Sequence, residues 1–291
     1  MDWIIFAFIS AVCWGLMSIV NKKVLIHEHA TEFTASRGPL IILLVLILIP
    51  FANFNFSLQG VLLTFVTAVT ISIGGIFFNK SLRHGEISVV GPLTNTSPLF
   101  LLIIAYFILG EVPSKMQYIG VFLLVLGAYS LEVGVSNSGF LKPLRDFFKS
   151  KVNMFMMIAM IAFSVTATLD KFIVGMLNVQ FIAYFVLLNL FMSIIYILYD
   201  AYLYGTKEIF RNLKKDYKLL AASAVLLVVG QLSYMKAVSI PGAMISLIIP
   251  IKRTSTLFST IIGGKLFHEK NLLLKVLSSI IMIWGAVLIL L

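Results

Sequence analysis

Two adjacent cations, Lys252 and Arg253, lie inside a long apolar stretch of the chain and could bind an anion. A guanidinium holds a carboxylate or phosphate through two parallel hydrogen bonds, and an ammonium adds a compact positive charge. Facing lipid at the centre of a bilayer, each cation would cost about 2.5–3.5 kcal/mol. We therefore expect both to face protein, water or a bound anion. Two interpretations stay open: a substrate site for an anion, or internal pairing with Asp170 or Glu132.

These two cations occupy the middle of a segment that the chain repeats. Residues 88–111 read SVVGPLTNTSPLFLLIIAYFILGE, and residues 246–269 read SLIIPIKRTSTLFSTIIGGKLFHE, in register without a gap. Extended onward, eleven of 44 aligned positions are identical, which predicts an internal repeat. The first copy has Thr94 and Asn95 where the second has the cations, so we expect an asymmetric polar cavity between two halves. The predicted substrate-binding residues are Lys252, Arg253, Asn95, Thr94, Thr96, Ser97, Thr254 and Ser255.

A matched pair of prolines, Pro92 and Pro250, precedes the shared Thr-Ser in both copies. Proline inside a helix removes one backbone hydrogen bond and crowds the carbonyl four residues back. The two residues are therefore candidates for helix bends that line the cavity. The alternative is an ordinary membrane-helix proline, because such prolines are common.

One acidic residue, Asp170, lies near the end of an apolar stretch and could couple transport to protons. The alternative is a carboxylate at the membrane interface that pairs with a neighbour. Glu111 and Glu269 close the two repeated segments, and we expect them to cap or anchor helix ends.

The sequence predicts neither an enzyme nor a cofactor or metal site. The four histidines lack ligand spacing, the single cysteine lies in an apolar run, and no nucleophile–base pair or phosphate-binding loop is present. A purely structural membrane subunit is a further alternative, and the two cations within the apolar stretch argue against it.

The composition places most of the chain in a lipid bilayer. It is 60% hydrophobic and 12% charged, with a mean hydropathy of +1.05, whereas a soluble domain carries about 25% charged residues. Helices are expected, because barrel strands need only about 9–11 residues. The predicted spans are 3–22, 33–51, 59–80, 87–109, 116–133, 153–173, 180–199, 219–238, 243–264 and 271–291.

The spans divide into five plus five around a polar, basic linker. A unit with five spans begins and ends on opposite faces, so its second copy must run inverted. The predicted fold is an all-α membrane protein with ten transmembrane helices as a 5+5 inverted repeat. Its predicted parts are a first five-helix repeat at 2–133, a basic linker at 134–152 and a second five-helix repeat at 153–291.

Basic residues predict the orientation of the chain. Fifteen lie on the face that contains the linker, against at most two on the face of the termini. The positive-inside rule therefore predicts a cytoplasmic linker and extracytoplasmic termini. Most of the net charge of +10 is explained in this way, so no nucleic-acid partner is inferred.

Several phrases together resemble the EamA-type transporters of the drug/metabolite transporter superfamily. Residues 14–25, WGLMSIVNKKVL, resemble that family's WG-x6-K phrase, and Arg37 resembles an arginine of its second span. The segments that end at Glu111 and Glu269 resemble the close of its fourth and ninth spans. The resemblance implies two EamA-like units and export or exchange of small metabolites across the cytoplasmic membrane. The family's usual topology has both termini inside, which is opposite to the charge count.

The predicted function is a secondary transporter of a small organic metabolite, anionic or zwitterionic, working by alternating access. The alternative is a flippase for a phosphate-bearing lipid carrier, whose phosphate the two cations could hold. The predicted partners are a small-molecule substrate, the lipid bilayer and a second copy of the chain in a homodimer. The predicted location is the cell (cytoplasmic) membrane, crossed several times.

Overall fold

The computed structural model describes residues 2–97, 99–100, 103–104, 114–135, 149–177, 179–240, 251–252 and 254–290. These residues form helices joined by short turns, with no strand among them. The helices are α1 (Asp2–Leu25), α2 (Ala30–Leu46), α3 (Leu58–His84), α4 (Ile87–Leu93), α5 (Lys115–Val135), α6 (Lys151–Lys171), α7 (Phe181–Tyr204), α8 (Thr206–Ser239), α9 and α10 (Leu272–Leu290). Three pieces make up α9: an α-helix over Ser255–Phe258, a π-helix over Ser259–Gly263 and an α-helix over Gly264–Leu266.

The prediction of an all-helical membrane protein is confirmed. Six helices in the described part of the chain are long and apolar enough to cross a membrane: α1, α3, α6, α7, α8 and α10. Large apolar side chains on their outer surfaces are exposed, which is expected where lipid replaces water.

Helix α8 begins thirteen residues before the predicted start of the eighth span. The hydropathy pattern placed it at 219, but α8 already begins at Thr206. The intervening residues include four lysines and one arginine, which favour helices even though they are too polar for hydrocarbon. The backbone departs from helical geometry only at Asp216 (φ −115°, ψ 25°), so the charged and apolar parts meet at a kink.

Local chemistry explains where several helices begin and end. The hydroxyl of Ser57 accepts a hydrogen bond from the amide of Gly60 (3.1 Å) and caps the start of α3. Between α7 and α8 the turn is the single residue Gly205 at φ +82°, a conformation that favours glycine. Glu32 accepts a hydrogen bond from the amide of His29 (3.3 Å) and fixes the start of α2.

Helix packing joins the two halves of the chain throughout. In the described residues α1 packs on α8, α3 packs on α6, α2 packs on α7 and α8, and α5 packs on α10. The largest buried apolar cluster combines side chains of α1, α4, α6 and α10, among them Ile19, Val90, Met160 and Met282. The core therefore lies between the halves rather than within each one.

Small residues allow the close crossing of α5 and α10. A Cβ atom on Gly285 would lie 2.8 Å from the carbonyl oxygen of Gly120 and 2.8 Å from the amide nitrogen of Leu124. One on Gly127, which aligns with Gly285 in the repeat, would meet the side chain of Met282. Glycines that let backbones approach are typical of helix pairs in membranes.

Candidate transport site

Lys252 lies between two aromatic rings. Its ammonium nitrogen is 3.9 Å from the ring centroid of Tyr234 on α8 and 5.2 Å from that of Trp14 on α1. Both distances are within the range of cation–π attraction, which favours a partly buried cation. The prediction that this cation avoids lipid thus has a physical basis in two rings from opposite halves.

An acidic group faces the same region. The hydroxyl of Tyr184 on α7 donates a hydrogen bond to the carboxylate of Asp170 at the end of α6. The charge of Lys252 also stabilises the carboxylate of Asp170. We name Trp14, Asp170, Tyr184, Tyr234 and Lys252 the Lys252 cluster. Asp170 is one of the two acids that the sequence left open as internal partners of the cations.

The predicted threonines contact their own helices. Thr94 donates to the carbonyl of Gly91 (2.7 Å), Thr96 to that of Leu93 (2.7 Å), and Thr254 to that of Ile251 (2.6 Å). Thr96 and Thr254 are equivalent in the repeat and make the same bond three residues back.

Two other predicted residues contact the opposite half. The side-chain amide of Asn95, fully buried, donates to the hydroxyl of Thr256 (3.3 Å). The backbone carbonyl of Ser97 accepts a hydrogen bond from Ser164 on α6 (3.0 Å). Ser255 is half-buried at the start of α9, where its carbonyl oxygen lies 3.0 Å from a Cβ built on Gly15.

Part of the predicted site lies outside the described residues, namely Arg253, Pro250 and Glu111, and so does the side chain of Glu132. Pro92 is buried inside α4, and the chain tightens into a 3-10 turn over Thr94–Thr96 directly after it.

A network of charges fastens α4 to α9 and α10 on the linker face. Glu269, just after α9, accepts hydrogen bonds from the amides of Ile87 (2.6 Å) and Ser88 (3.0 Å) and from the Ser88 hydroxyl. It therefore caps the start of α4, as a carboxylate favourably does at a helix N-terminus. The expectation that Glu269 anchors a helix end is confirmed, although the end belongs to the opposite half.

Two lysines complete this network, and the sequence analysis missed both roles. Lys275 on α10 has a side chain only 1% exposed, and it pairs with Glu86 and, at 3.8 Å, with Glu269. Lys22 at the end of α1 donates to the carbonyls of Leu82 (2.6 Å), Arg83 (3.2 Å) and Gly85 (2.6 Å). We name Lys22, Glu86, Glu269 and Lys275 the linker-face network. The role of Lys275 could have been suspected from the sequence, because it is a lysine within the apolar stretch 272–290.

Arg37 is a second buried cation, 5% exposed, and it is held by neutral groups. Its guanidinium donates to the hydroxyl of Ser223 (3.0 Å), which donates in turn to the side-chain oxygen of Asn21 (2.6 Å). The ring of Phe33 lies 5.0 Å from the guanidinium carbon. This residue, identified only by resemblance, thus links α1, α2 and α8.

A carboxyl at the α1–α2 turn titrates near neutrality. Burial, and after it the adjacent carboxyl of Asp216, together raise the pKa of Glu28 to about 7 from its ordinary 4.5. Asp216 is the kink residue of α8, so this pair lies where the charged part of that helix meets α1 and α2.

Comparison with known proteins identifies the first half of the chain. Residues 1–132 match the family model described as the EamA-like transporter family. The resemblance seen in the sequence is thereby confirmed over these residues, and the EamA family belongs to the drug/metabolite transporter superfamily.

Solved structures support the fold of the whole chain. One, titled "Crystal structure of protein", is similar with a TM-score of 0.60 at 11% identity, and the similarity covers 98% of this chain and 95% of that one. At this identity the likeness concerns the fold alone. No curated protein matches the chain.

The family match and the apolar helices together indicate a multi-pass membrane transporter of the EamA-like kind. The family points to a non-enzymatic transporter. It does not favour the flippase alternative.

Proposed function

We propose that the chain is a secondary transporter that moves a small anionic or zwitterionic metabolite across the cytoplasmic membrane by alternating access, as an exporter or exchanger. The Lys252 cluster is the observation that carries the proposal. It combines one cation, one carboxylate and three aromatic side chains from both halves of the chain. Arg253, Asn95 and the neighbouring hydroxyls of the repeat belong to the proposed site.

The arrangement suits a substrate that carries both charges. A substrate carboxylate would bind Lys252 and Arg253, and a substrate ammonium would bind Asp170. Before binding, the attraction between Lys252 and Asp170 offsets part of the cost of keeping each charge away from water. A purely anionic substrate would compete with Asp170 for Lys252.

An inverted repeat of five plus five helices is the proposed framework. The packing pairs support it, because they are preserved when each helix is exchanged for the one five positions away. The pair α1–α8 becomes α6–α3, and α2–α8 becomes α7–α3, while α2–α7, α4–α9 and α5–α10 map onto themselves. Repeats of this kind place the substrate site at their interface.

The linker-face network is the proposed gate that closes the transport path on the linker face. It joins the linker-face ends of α1, α4, α9 and α10 through buried charges and backbone contacts. We propose that this network breaks when the site opens toward the linker face, which the charge count assigns to the cytoplasm. The substrate would then enter or leave between the same helix ends.

Transport measurements on Lys252 variants test the proposal. Comparing metabolites inside and outside cells with and without the protein identifies the substrate, and its uptake is then measured in proteoliposomes. Lys252→Gln should abolish uptake and Lys252→Arg should retain part of it, while Lys265→Gln, at an exposed lysine of α9, should have no effect.

The competing explanation, a purely structural ion pair, makes the opposite prediction for a double variant. If Lys252 only balances Asp170, then Lys252→Gln combined with Asp170→Asn should restore both thermal stability and uptake. Such rescue would refute the substrate site. Loss of uptake in the double variant at normal stability supports it.

A further inference from the structure

The first thirteen residues of α8 lie beyond the part of that helix that can cross the membrane. The 34 residues of α8 span about 51 Å, whereas the hydrocarbon core is about 30 Å thick. Seven of its eight charged residues fall within 206–218, and residues 219–235 contain none. The charged part, about 20 Å long, therefore lies outside the hydrocarbon core on the linker face.

One face of this charged part is docked on the protein. Ile209 and Asn212 are each only 4% exposed. The carbonyl of Ile209 accepts a hydrogen bond from Ser36 on α2 (3.4 Å), and the amide of Asn212 donates to Glu32 (3.4 Å). These contacts fix which side of the helix points away from the protein.

The opposite face is basic and aromatic. Its residues follow one another at intervals of one or three positions and form a continuous strip along the helix. We name this strip the basic stripe: Lys207, Phe210, Arg211, Lys214, Tyr217 and Lys218. All six side chains are exposed. Phe210 is 62% exposed and Tyr217 is 56% exposed, which is a large aromatic surface for a helix that faces only water.

The charged part carries a surplus of positive charge. Its two acids lie next to basic partners: Glu208 pairs with Arg211, and Asp216 lies 3.9 Å from Lys215. Lys207, Lys214 and Lys218 are the surplus, which gives residues 206–218 a net charge of +3. Cations interleaved with exposed rings on one helix face are typical of helices that lie in the headgroup layer of an anionic membrane.

We propose that the basic stripe is an anchor for anionic lipids, with its lysines on the headgroups and with Phe210 and Tyr217 inserted below them. The kink at Asp216 lets the helix run along the membrane surface before it turns into the bilayer. Because the charged part is docked on α2 and next to the α1–α2 turn, bound lipid would restrain the linker-face ends of these helices. This inference is independent of the substrate that the protein transports.

Lipid titrations of the full-length protein test the proposal. The protein is purified in a zwitterionic detergent, and its melting midpoint is followed as dioleoylphosphatidylglycerol or dioleoylphosphatidylcholine is added. Each lysine near an anionic surface contributes about fivefold to binding, so Lys207→Gln/Lys214→Gln/Lys218→Gln should weaken phosphatidylglycerol binding about 100-fold. The matched control is Lys23→Gln/Lys265→Gln/Lys270→Gln, which removes the same charge from exposed positions on the same face.

The two triple variants decide the outcome. Wild type and control should respond to phosphatidylglycerol alike, and the stripe variant should not. An equal loss in both triples would overturn the proposal, because only the total charge of the face would then matter. An equal stabilisation by soluble glycerol 3-phosphate would overturn it as well, because the site would then be one for free anions.

A depth measurement provides a second readout that does not depend on stability. The variant Phe210→Trp in vesicles of phosphatidylglycerol and brominated phosphatidylcholine should lose fluorescence relative to unbrominated vesicles, beyond the loss seen in wild type. The matched control is Tyr202→Trp, at a ring 85% exposed but outside the stripe. Quenching at position 210 no stronger than in wild type would show that the stripe faces water.

Discussion

The variant Glu269→Gln tests whether the linker-face network holds the two halves together. The Glu269 carboxylate is 5% exposed and accepts from two amides and one hydroxyl at the start of α4. Glutamine keeps one acceptor oxygen but turns a donor group toward other donors. Breaking a buried charge pair costs about 3–5 kcal/mol. Lys275 would keep Glu86, whose side chain is 45% exposed, so we expect the lower end, about 3 kcal/mol.

Thermal denaturation in detergent measures this loss, expected as a drop of about 6–12 °C in the midpoint. The control is Glu208→Gln, which breaks an exposed pair with Arg211 and should cost about 0–1 kcal/mol. The double variant Glu269→Gln/Lys275→Met should lose less than the two single losses combined, because these residues share one network. Equal small losses in Glu269→Gln and the control would refute the reasoning, since the carboxylate would then contribute no more than a surface charge.

Three further predictions concern other parts of the fold. Folded Glu28 keeps its proton between about pH 4.5 and pH 7, whereas the unfolded chain loses it, so the stability of the protein should fall as the pH rises through this window. The variant Glu28→Gln should remove this fall. A wild-type melting midpoint that stays level from about pH 5 to about pH 8 would contradict the prediction. Gly285→Ala and Gly127→Ala should each destabilise by about 1–3 kcal/mol, since each new Cβ meets backbone of the partner helix, the carbonyl of Gly120 at 2.8 Å and that of Ser278 at 3.1 Å respectively; unchanged melting midpoints would refute this. Ser223→Ala should cost about 1–3 kcal/mol, because it deprives buried Arg37 of its acceptor; an unchanged midpoint would mean that water replaces the hydroxyl.

The sequence predicts helices well where hydropathy alone decides. Helices α1, α3, α6, α7 and α10 coincide with predicted spans to within a few residues at most ends. The sequence predicts helix ends poorly where a helix continues beyond the hydrocarbon core. A hydropathy scale responds to the charges of residues 206–218 but not to their propensity to form a helix. The beginning of α8 was missed for this reason.

The candidate site was predictable only in part, because partners distant in the chain cannot be paired from one sequence. Lys252 was identified by the cost of a cation in an apolar stretch, and this cost holds for any fold. Its rings, Trp14 and Tyr234, could not be assigned, because 238 and 18 residues separate them from it along the chain. Lys275 and Glu86 are 189 residues apart, so their ion pair was equally hidden.

The turn between α3 and α4 is held almost entirely by its main chain. Lys22 binds carbonyl oxygens on one side of it, and Glu269 binds amide groups on the other. Neither contact involves the side chains of Arg83 and His84, so these two residues can be exchanged without loss of the recognition, whereas a Cβ on Gly85 would lie 2.6 Å from Val90 and from Val152. A saturation mutagenesis experiment should therefore find Arg83 and His84 tolerant and Gly85 constrained, while two of the positions that hold the turn lie far away in the chain: Lys22 is 61 residues from Arg83, and Glu269 is 184 residues from Gly85. Insertion of a reporter peptide or an antibody epitope into this turn should follow the same logic, provided that both backbone anchors stay in register.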